Sequence, residues 1–255
     1  MRVHALQVDS VWEDHDASRV RVEALLEQAN PVPGDFVVAP ELCETGFTMR
    51  AEHAASRDST PWVLALAKRH RVWLQCGIAR RTPEGIVNAA VVADPTGREA
   101  GAYHKVFLFT PDGECDHYRA GSEPLVIDCD GVKVAPLICY DLRFPELWRR
   151  AALRGAEVFT LGACWPARRV HHWTALVGAR AIENQAWVIA ANGCGTEPTG
   201  PRAGASCIID HDGATRSHCG SCAAVASCEL ELAALREWRA KFPALADARP
   251  NFLGL

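Results

Sequence analysis

The chain has 255 residues, 49% of them hydrophobic, with 31 acidic residues against 27 Lys and Arg. It is therefore nearly neutral and long enough for one large domain, which we expect to span residues 1–255. A formal net charge of −4 provides no basic surface for nucleic acid or an anionic membrane. We expect neither as a partner.

The 11 cysteines lie between Cys43 and Cys228 without the spacing of a disulfide framework. This distribution indicates reduced thiols. The first residues contain no uninterrupted apolar stretch typical of a signal peptide, and no run of about 18 apolar residues could span a membrane. We therefore expect a soluble, cytoplasmic protein.

Predicted strands and helices alternate through the first half of the chain. Hydrophobic periodicity predicts strands at 3–8, 36–39, 72–78, 87–93 and 99–104, and helices at 17–30 and 51–69. Pro40 closes the apolar strand 36–39, and an acidic loop at 41–45 follows it. A loop at the carboxyl end of a strand is where α/β folds place chemistry.

The second half repeats this alternation. The pattern predicts strands at 132–138, 158–161, 187–191, 207–210 and 223–226, with helices at 146–153 and 171–183. Two such halves predict two mixed sheets packed together with helices outside, a four-layer αββα sandwich. From about residue 235 the sequence is irregular, and we expect a tail that wraps the body or a partner subunit.

Three segments that follow predicted strands each carry a reactive side chain: Glu41 in Pro-Glu-Leu, Lys105 in Tyr-His-Lys, and Cys139 at the start of Cys-Tyr-Asp-Leu-Arg-Phe-Pro-Glu. A thiol between an apolar strand and a helix start is placed like a nucleophile, because backbone N–H groups there stabilise anions. Taken singly, such a cysteine is more often a small buried residue, and such a Glu and Lys are as often a solvated pair.

Together, these segments resemble the nitrilase superfamily of carbon–nitrogen hydrolases, whose motifs surround a catalytic Glu, Lys and Cys. Further resemblance at residues 164–166, 179–185 and 204–206 extends it over nearly the whole chain. The sequence is most similar to the bacterial omega-amidase branch, which hydrolyses the side-chain amides of 2-oxo acids such as 2-oxoglutaramate and 2-oxosuccinamate. The resemblance implies the same sandwich fold and a homodimer, which we expect to form through the helices around 146–148 and 179–184.

The resemblance also implies roles for individual residues. Cys139 would attack the amide and form a thioester, with Glu41 as the general base and acid. Lys105 and the backbone N–H of Tyr140 would stabilise the oxyanion. Glu114 matches a second glutamate of the branch, with a positioning and electrostatic role, although it could also be an ordinary loop carboxylate. No metal or organic cofactor is implied.

Three further residues are candidates for the substrate pocket. Trp165 could form a rigid apolar wall or belong to the core, and Phe47 is a weaker candidate with core packing as the alternative. Arg143 could bind a substrate carboxylate bidentately, or make an ion pair with Asp141 or Glu146. A 2-oxo acid requires some cation, and the sequence leaves open which one binds it.

Two features depart from the pattern of the branch and put the exact amide in doubt. Cys164 stands where the branch commonly has Asn, and Gly193 stands where an Arg is usual. A carbamoylase or an aliphatic amidase of the same superfamily is therefore an alternative. An alternative of another class is a catalytically silent interaction protein on the same scaffold, although the presence of all three reactive residues argues against it.

The segment His218-Cys219-Gly220-Ser221-Cys222 invites a metal hypothesis. A structural zinc site needs a second closely spaced ligand pair, and the sequence offers none at a suitable distance. We therefore predict a hairpin turn here.

Overall fold

The structure is a computed structural model that describes residues 1–249. Its strands are β1 (Arg2–Gln7), β2 (Phe36–Val38), β3 (Trp73–Thr82), β4 (Gly85–Ala93), β5 (Glu99–His104), β6 (Ile127–Cys129), β7 (Val132–Ile138), β8 (Val158–Ala163), β9 (Trp187–Asn192), β10 (Thr196–Glu197), β11 (Gly200–Pro201), β12 (Cys207–Ile209), β13 (Thr215–His218) and β14 (Ala224–Glu229). Its α-helices are α1 (His15–Ala29), α2 (Ala51–Ala54), α3 (Thr60–His70), α4 (Glu114–His117), α5 (Pro145–Leu153), α6 (Val170–Glu183) and α7 (Leu232–Lys241). Within residues 1–249, no helix has the length and apolarity that crossing a bilayer requires.

Twelve of the strands form two six-stranded sheets with matching layouts. The first sheet has the order β14-β1-β2-β3-β4-β5, and the second has the order β13-β12-β9-β8-β7-β6. In each sheet three central strands run parallel and the outer pairs are antiparallel. Both sheets are therefore mixed, as predicted.

Alternating side chains on the strands create the layers. On β2, Phe36 and Val38 pack in the core between the sheets, where they share a cluster with Val134 and Val158 of the second sheet. Val37 points the opposite way and packs in the cluster beneath α1 and α3, as the two-residue repeat of a strand requires. On the far side, α5 and α6 cover the second sheet. The four-layer αββα sandwich is thereby confirmed.

The predicted helix 51–69 is instead two helices, α2 and α3, separated by five residues. Local chemistry explains the break. The side chain of Asp58 accepts a hydrogen bond from Thr60 N at 2.9 Å, and Pro61 occupies the first turn of α3, where its missing N–H is harmless. The apolar residues at helical spacing lie in α3, and residues 56–60 are all polar, so the prediction extended the helix over a segment that lacks the pattern.

Two expectations near the end of the chain were wrong in detail. The predicted irregular tail begins within α7, whose Leu235 is fully buried and whose Arg236 Nε lies 2.7 Å from Glu157 Oε1. The rest of the tail beyond residue 249 lies outside the described residues. Segment 218–222 is not a hairpin, because it leads from β13 of the second sheet to β14 of the first.

Two glycines let the two sheets approach the backbone around Glu41. A Cβ atom on Gly77 of β3 would lie 2.6 Å from Glu41 Cα, and one on Gly162 of β8 would lie 3.1 Å from Glu41 N. Neither position accommodates a side chain without a shift. The segment that follows β2 is therefore held between strands of both sheets, at the edge where β7 and β8 also end.

Candidate active site

Glu41 is fully buried at the end of β2. The next residue, Leu42, adopts the left-handed conformation (φ 42°), which costs a non-glycine residue about 1–2 kcal/mol. One carboxylate oxygen, Oε2, accepts a hydrogen bond from the backbone N–H of Cys164 at 3.1 Å. The strained turn and this bond from the second sheet fix the direction of the Glu41 carboxylate.

Lys105 follows β5 and is also fully buried. Its Nζ lies 2.7 Å from Glu41 Oε1, 2.7 Å from Glu114 Oε2 and 3.0 Å from Glu114 Oε1. Burial opposes the charge on the ammonium, but the attraction of Glu114 and Glu41 outweighs it and holds the pKa of Lys105 well above its usual value. Glu114 is itself fixed, because its Oε2 accepts the N–H of Phe109 at 2.6 Å. The ammonium therefore stays charged between two carboxylates.

Cys139 follows β7 and begins a 3₁₀ turn, Cys139–Arg143, that leads into α5. Its φ of 42° again places a non-glycine residue in the left-handed region, a strain typical of functional turns. The next residue, Tyr140, lies in the first turn, where backbone N–H groups have no acceptor within the helix. That N–H is available to bind an oxyanion beside the thiol.

The Cys139 thiol is protonated in the resting site. Burial and the neighbouring Glu41 carboxylate raise its pKa well above the usual value, and the nearby Lys105 charge only partly opposes this effect. Because a neutral thiol is a poor nucleophile, a reaction at Cys139 would need a base, and the Glu41 carboxylate is the neighbouring group that raises the pKa of this thiol.

Asp141 holds the Cys139 turn and the Lys105 segment together. Its Oδ2 accepts hydrogen bonds from Ile138 N at 3.0 Å and from the Tyr103 hydroxyl at 2.8 Å, and its Oδ1 accepts one from Phe107 N at 3.0 Å. Complete burial nevertheless raises the pKa of Asp141 to about 7. The Asp141 side chain therefore connects the C-terminal end of β5 in the first sheet to the C-terminal end of β7 in the second sheet.

A pocket of about 420 Å³, partly open to solvent, lies beside Cys139. Phe47, Phe109, Tyr140 and Trp165 form its aromatic walls. The Phe47 ring lies 5.1 Å from Lys105 Nζ and is nearly buried, so this weaker pocket candidate reaches the centre of the site. Trp165 fits both of its interpretations, because it lines the pocket and also packs within the core of the second sheet.

Four arginines also line this pocket: Arg143, Arg168, Arg169 and Arg202. Arg143 stacks over the Trp165 ring at 4.8 Å and donates through Nη2 to His172 Nδ1 at 3.1 Å. Within residues 1–249 it forms no ion pair with a carboxylate, so the structural pair with Asp141 or Glu146 is not observed.

Arg202 was missed by sequence reasoning and is already occupied by protein groups. It forms a buried ion pair with Glu197, and its guanidinium donates to Thr199 Oγ1 at 2.8 Å and to the carbonyl of Cys164 at 3.0 Å. The contacts of Cys164 with Arg202 and with the Glu41 carboxylate use its backbone. They do not depend on the side chain at this position, so the departure from Asn leaves both intact.

Asn88, Asp141 and Arg169 were also missed. A single asparagine inside the apolar run 86–93 is the one sequence feature that could have identified Asn88. Asp141 lies within the motif that begins at Cys139, but nothing local indicates contacts with another sheet. Arg169 lies in an arginine pair at 168–169 that resembles an ordinary exposed surface.

Comparison with known proteins identifies the family. The carbon–nitrogen hydrolase family model matches residues 2–240, so the chain belongs to the carbon–nitrogen hydrolase family, within the nitrilase superfamily. It is 34% identical to the 2-oxoglutaramate amidase of Bacillus subtilis (strain 168), over 98% of each chain. It is 36% identical to the omega-amidase YafV of Escherichia coli (strain K12), over 97% of this chain and 96% of that one.

Solved structures agree with this assignment. A carbon–nitrogen hydrolase superfamily protein from Xanthomonas campestris, described with an arsenic adduct in its active site, superimposes with a TM-score of 0.90 at 31% identity, covering 98% of this chain and 97% of that chain. A carbon–nitrogen hydrolase from Helicobacter pylori G27 shares the fold with a TM-score of 0.90 at 22% identity, covering 99% of this chain and 96% of that chain. The resemblance inferred from the motifs is confirmed.

Replacing Glu41 with Gln should lower the pKa of Cys139, because it removes the carboxylate that raises this pKa while Lys105 remains charged. The measurement is a pH titration of ultraviolet thiolate absorbance, taken as the difference between each protein and the same protein carrying Cys139→Ser. Glu44→Gln is the matched control, because Glu44 is a buried carboxylate that pairs with Arg19 instead. A Cys139 titration that does not move in Glu41→Gln would contradict the electrostatic picture.

Proposed function

We propose that this hydrolase cleaves the side-chain amide of a 2-oxo acid, such as 2-oxoglutaramate or 2-oxosuccinamate, to the dicarboxylate and ammonia. The observation that carries the proposal is a pocket in which Cys139 lies beside Glu41 and Lys105, while three of the four arginines that line its walls have no carboxylate partner within residues 1–249. Of these three, Arg168 is exposed. Two relatives whose names describe the same chemistry, a 2-oxoglutaramate amidase and an omega-amidase, support it.

In the first half-reaction, Glu41 takes the proton of the Cys139 thiol and the thiolate attacks the amide carbonyl carbon. The Lys105 ammonium and the Tyr140 backbone N–H stabilise the oxyanion that develops. Protonated Glu41 then gives its proton to the departing ammonia as the C–N bond breaks. The product is a thioester on Cys139.

In the second half-reaction, Glu41 removes a proton from water as the water oxygen attacks the thioester carbonyl carbon. The C–S bond then breaks, the acid is released, and Glu41 returns the proton to the Cys139 thiolate. Glu114 has a different role, because its Oε1 and Oε2 face the Lys105 ammonium. It keeps Lys105 charged and fixed, which suits the lysine to stabilising the oxyanion instead of abstracting a proton.

Arg143 and Arg169 are the cations that we assign to the substrate carboxylate. Within residues 1–249 neither forms an ion pair, whereas Arg202 is paired with Glu197. Burial lowers the pKa of Arg169, and repulsion by Arg168 and Arg143 lowers it further. An anion bound between these guanidinium groups would relieve that repulsion, and guanidinium groups bind carboxylates with good geometry.

The second candidate is hydrolysis of an N-carbamoyl amino acid, because such a substrate also carries a carboxylate for the arginines. An aliphatic amidase is less well supported, since a neutral acyl group would leave both guanidinium groups without an anion. A catalytically silent protein is also less well supported, because burying Lys105 between Glu41 and Glu114 carries a desolvation cost that a silent scaffold does not require.

We further propose that one domain over residues 1–255 carries the activity in a reducing, cytoplasm-like compartment. The free state of all 11 cysteines, which lie within residues 43–228, supports this compartment. The family model over residues 2–240 supports the single domain.

Purified protein should release ammonia from 2-oxoglutaramate or 2-oxosuccinamate faster than from aliphatic amides, nitriles or N-carbamoyl amino acids. An ammonia assay over this panel distinguishes the proposed function from its alternatives. Cys139→Ser should lose nearly all turnover, whereas Cys115→Ser, at an exposed cysteine, should retain it. Rapid hydrolysis of a carbamoyl compound with neither oxo-amide cleaved would favour the second candidate, and full activity in Cys139→Ser would exclude the mechanism.

Arg143→Gln should reduce kcat/KM for the oxo-amide by about ten- to a hundredfold, mainly through KM, because it removes a charge-assisted contact worth about 1.5–3 kcal/mol. Hydrolysis of a neutral aliphatic amide should hardly change. Arg98→Gln, on an exposed turn where Arg98 pairs with Asp94, is the matched control. Equal losses of kcat/KM on charged and neutral amides would show that Arg143 does not bind the substrate carboxylate.

We propose a homodimer that uses the outer faces of α5 and α6. Trp148, within the expected contact region, is fully buried against Phe159 and cannot contribute, whereas Ile182 is 55% exposed. Light scattering should give a dimer for the wild type and a weakened dimer for Ile182→Asp. Val20→Asp, at an exposed apolar residue of α1, should stay dimeric. A monomeric wild type at working concentration would refute the proposal.

A further inference from the structure

Asn88 lies on β4, between β3 and the edge strand β5 of the first sheet, and is fully buried. Its backbone carbonyl accepts the N–H of Lys105 at 2.9 Å, just beyond the last residue of β5. Antiparallel pairing thus sets Asn88 directly opposite Lys105, and directly opposed residues point to the same face of a sheet. The side chain of Asn88 therefore reaches the same charged cluster as the lysine.

The side-chain amide of Asn88 joins the two carboxylates of that cluster. Its Nδ2 donates to Glu41 Oε1 at 2.8 Å and to Glu114 Oε1 at 2.8 Å, which uses both of its hydrogens. Lys105 Nζ contacts the same two oxygens, at 2.7 Å and 3.0 Å. The four groups form a closed ring in which each carboxylate oxygen is shared by a charged donor and a neutral donor.

The orientation of this amide is fixed by its neighbours. Within residues 1–249, Asn88 Oδ1 is a buried acceptor without a hydrogen-bond partner, an arrangement that lowers stability. The flipped amide would direct that acceptor at two carboxylates, which is worse. The buried, unpartnered Oδ1 makes Asn88 a poor choice for the stability of the sheet. Its amide group is instead suited to donating to the two carboxylates.

We propose that Asn88 is a positioning residue that holds Glu41 and Glu114 on either side of Lys105. The inference rests on the proposed function only in giving Glu41 the role of base. A neutral amide is suited to this task. A second cation would stabilise the negative charge of Glu41 so strongly that the carboxylate would be a weaker base. Asn88 fixes the carboxylate while Lys105 remains the one positive charge in the ring.

Further titratable groups lie around this ring, and their charges are set by the same surroundings. Tyr118 is a neutral phenol, because burial and the charges of Glu114 and Glu41 raise its pKa, and its hydroxyl donates to Thr48 O at 2.9 Å. Burial and Glu41 likewise raise the pKa of Cys139. At neutral pH the charges that face Asn88 are therefore those of Glu41, Glu114 and Lys105.

The test compares Asn88→Leu and Asn88→Ser with Asn184→Leu and Asn184→Ser. Asn184 is the matched control, because it is fully buried and its Nδ2 donates to a backbone carbonyl, that of Arg180 at 3.0 Å. Like that of Asn88, its Oδ1 has no partner among the described residues. The pH profile of kcat/KM is measured with the best amide of the panel. The pH dependence of Cys139 alkylation by iodoacetamide is followed on the tryptic peptide 134–143, which contains no other cysteine.

Asn88→Leu should lose about a hundredfold or more in kcat, with a much smaller change in KM. The acidic limb of both profiles should move to higher pH, because loss of the amide donor leaves the charge of Glu41 less compensated and so raises the pKa of the Cys139 thiol further. Asn88→Ser retains one hydroxyl donor and should shift less. The Asn184 variants should melt at lower temperature without moving either limb.

Unmoved acidic limbs in the Asn88 variants, with only lowered melting temperatures like those of Asn184, would overturn the proposal. If Asn88→Leu fails to fold, the smaller Asn88→Ser carries the comparison by the same criterion. The alkylation profile requires no substrate. It therefore tests Asn88 even where no oxo-amide is hydrolysed, and it separates failure of this inference from failure of the proposed function.

Discussion

The arrangement of Lys105 between Glu41 and Glu114 is the constraint on which the rest of the structure depends. Three ionisable side chains with no measurable exposure meet here, and the Lys105 ammonium lies within hydrogen-bond distance of both carboxylates. Buried charges are destabilising unless they are paired and their remaining hydrogen-bonding positions are filled. One ammonium cannot satisfy two carboxylates by itself, so the surrounding fold supplies donors: the amide of Asn88 and the backbone N–H groups of Cys164 and Phe109.

This requirement explains why the site spans both sheets. Glu41 and Lys105 follow strands of the first sheet and Glu114 begins α4, whereas Cys139 and the Cys164 N–H follow β7 and β8 of the second sheet. Gly162 permits the close approach, and Asp141 ties the nucleophile turn back to the segment after β5. Cys139 and Glu41 come together only when the two sheets pack, so the site is complete only in the packed sandwich.

The sequence predicts those parts of this arrangement that local patterns encode. Alternating apolar residues indicated most strands of both sheets, and the motifs around Glu41, Lys105 and Cys139 indicated the reactive groups. The short strands β6 and β13 lack a long apolar run, and the break before α3 depends on a single cap at Asp58. Asn88 depends on partners 47 and 26 residues away. A polar residue in an apolar strand signals importance, but only the folded chain shows what it contacts.

The charges of the pocket lie in two regions of opposite sign, which is the arrangement that the proposed substrate would need. Glu41 and Glu114 concentrate negative charge at its base, where a substrate carboxylate would be repelled. Arg143 and Arg169 line its walls, where the same carboxylate would be attracted. A molecule with an acid at one end and an amide at the other is therefore oriented before any reaction, with the amide beside Cys139. Orientation of this kind favours the amide distant from the acid group, because an amide adjacent to that group could not reach the thiol while the acid remained with the arginines.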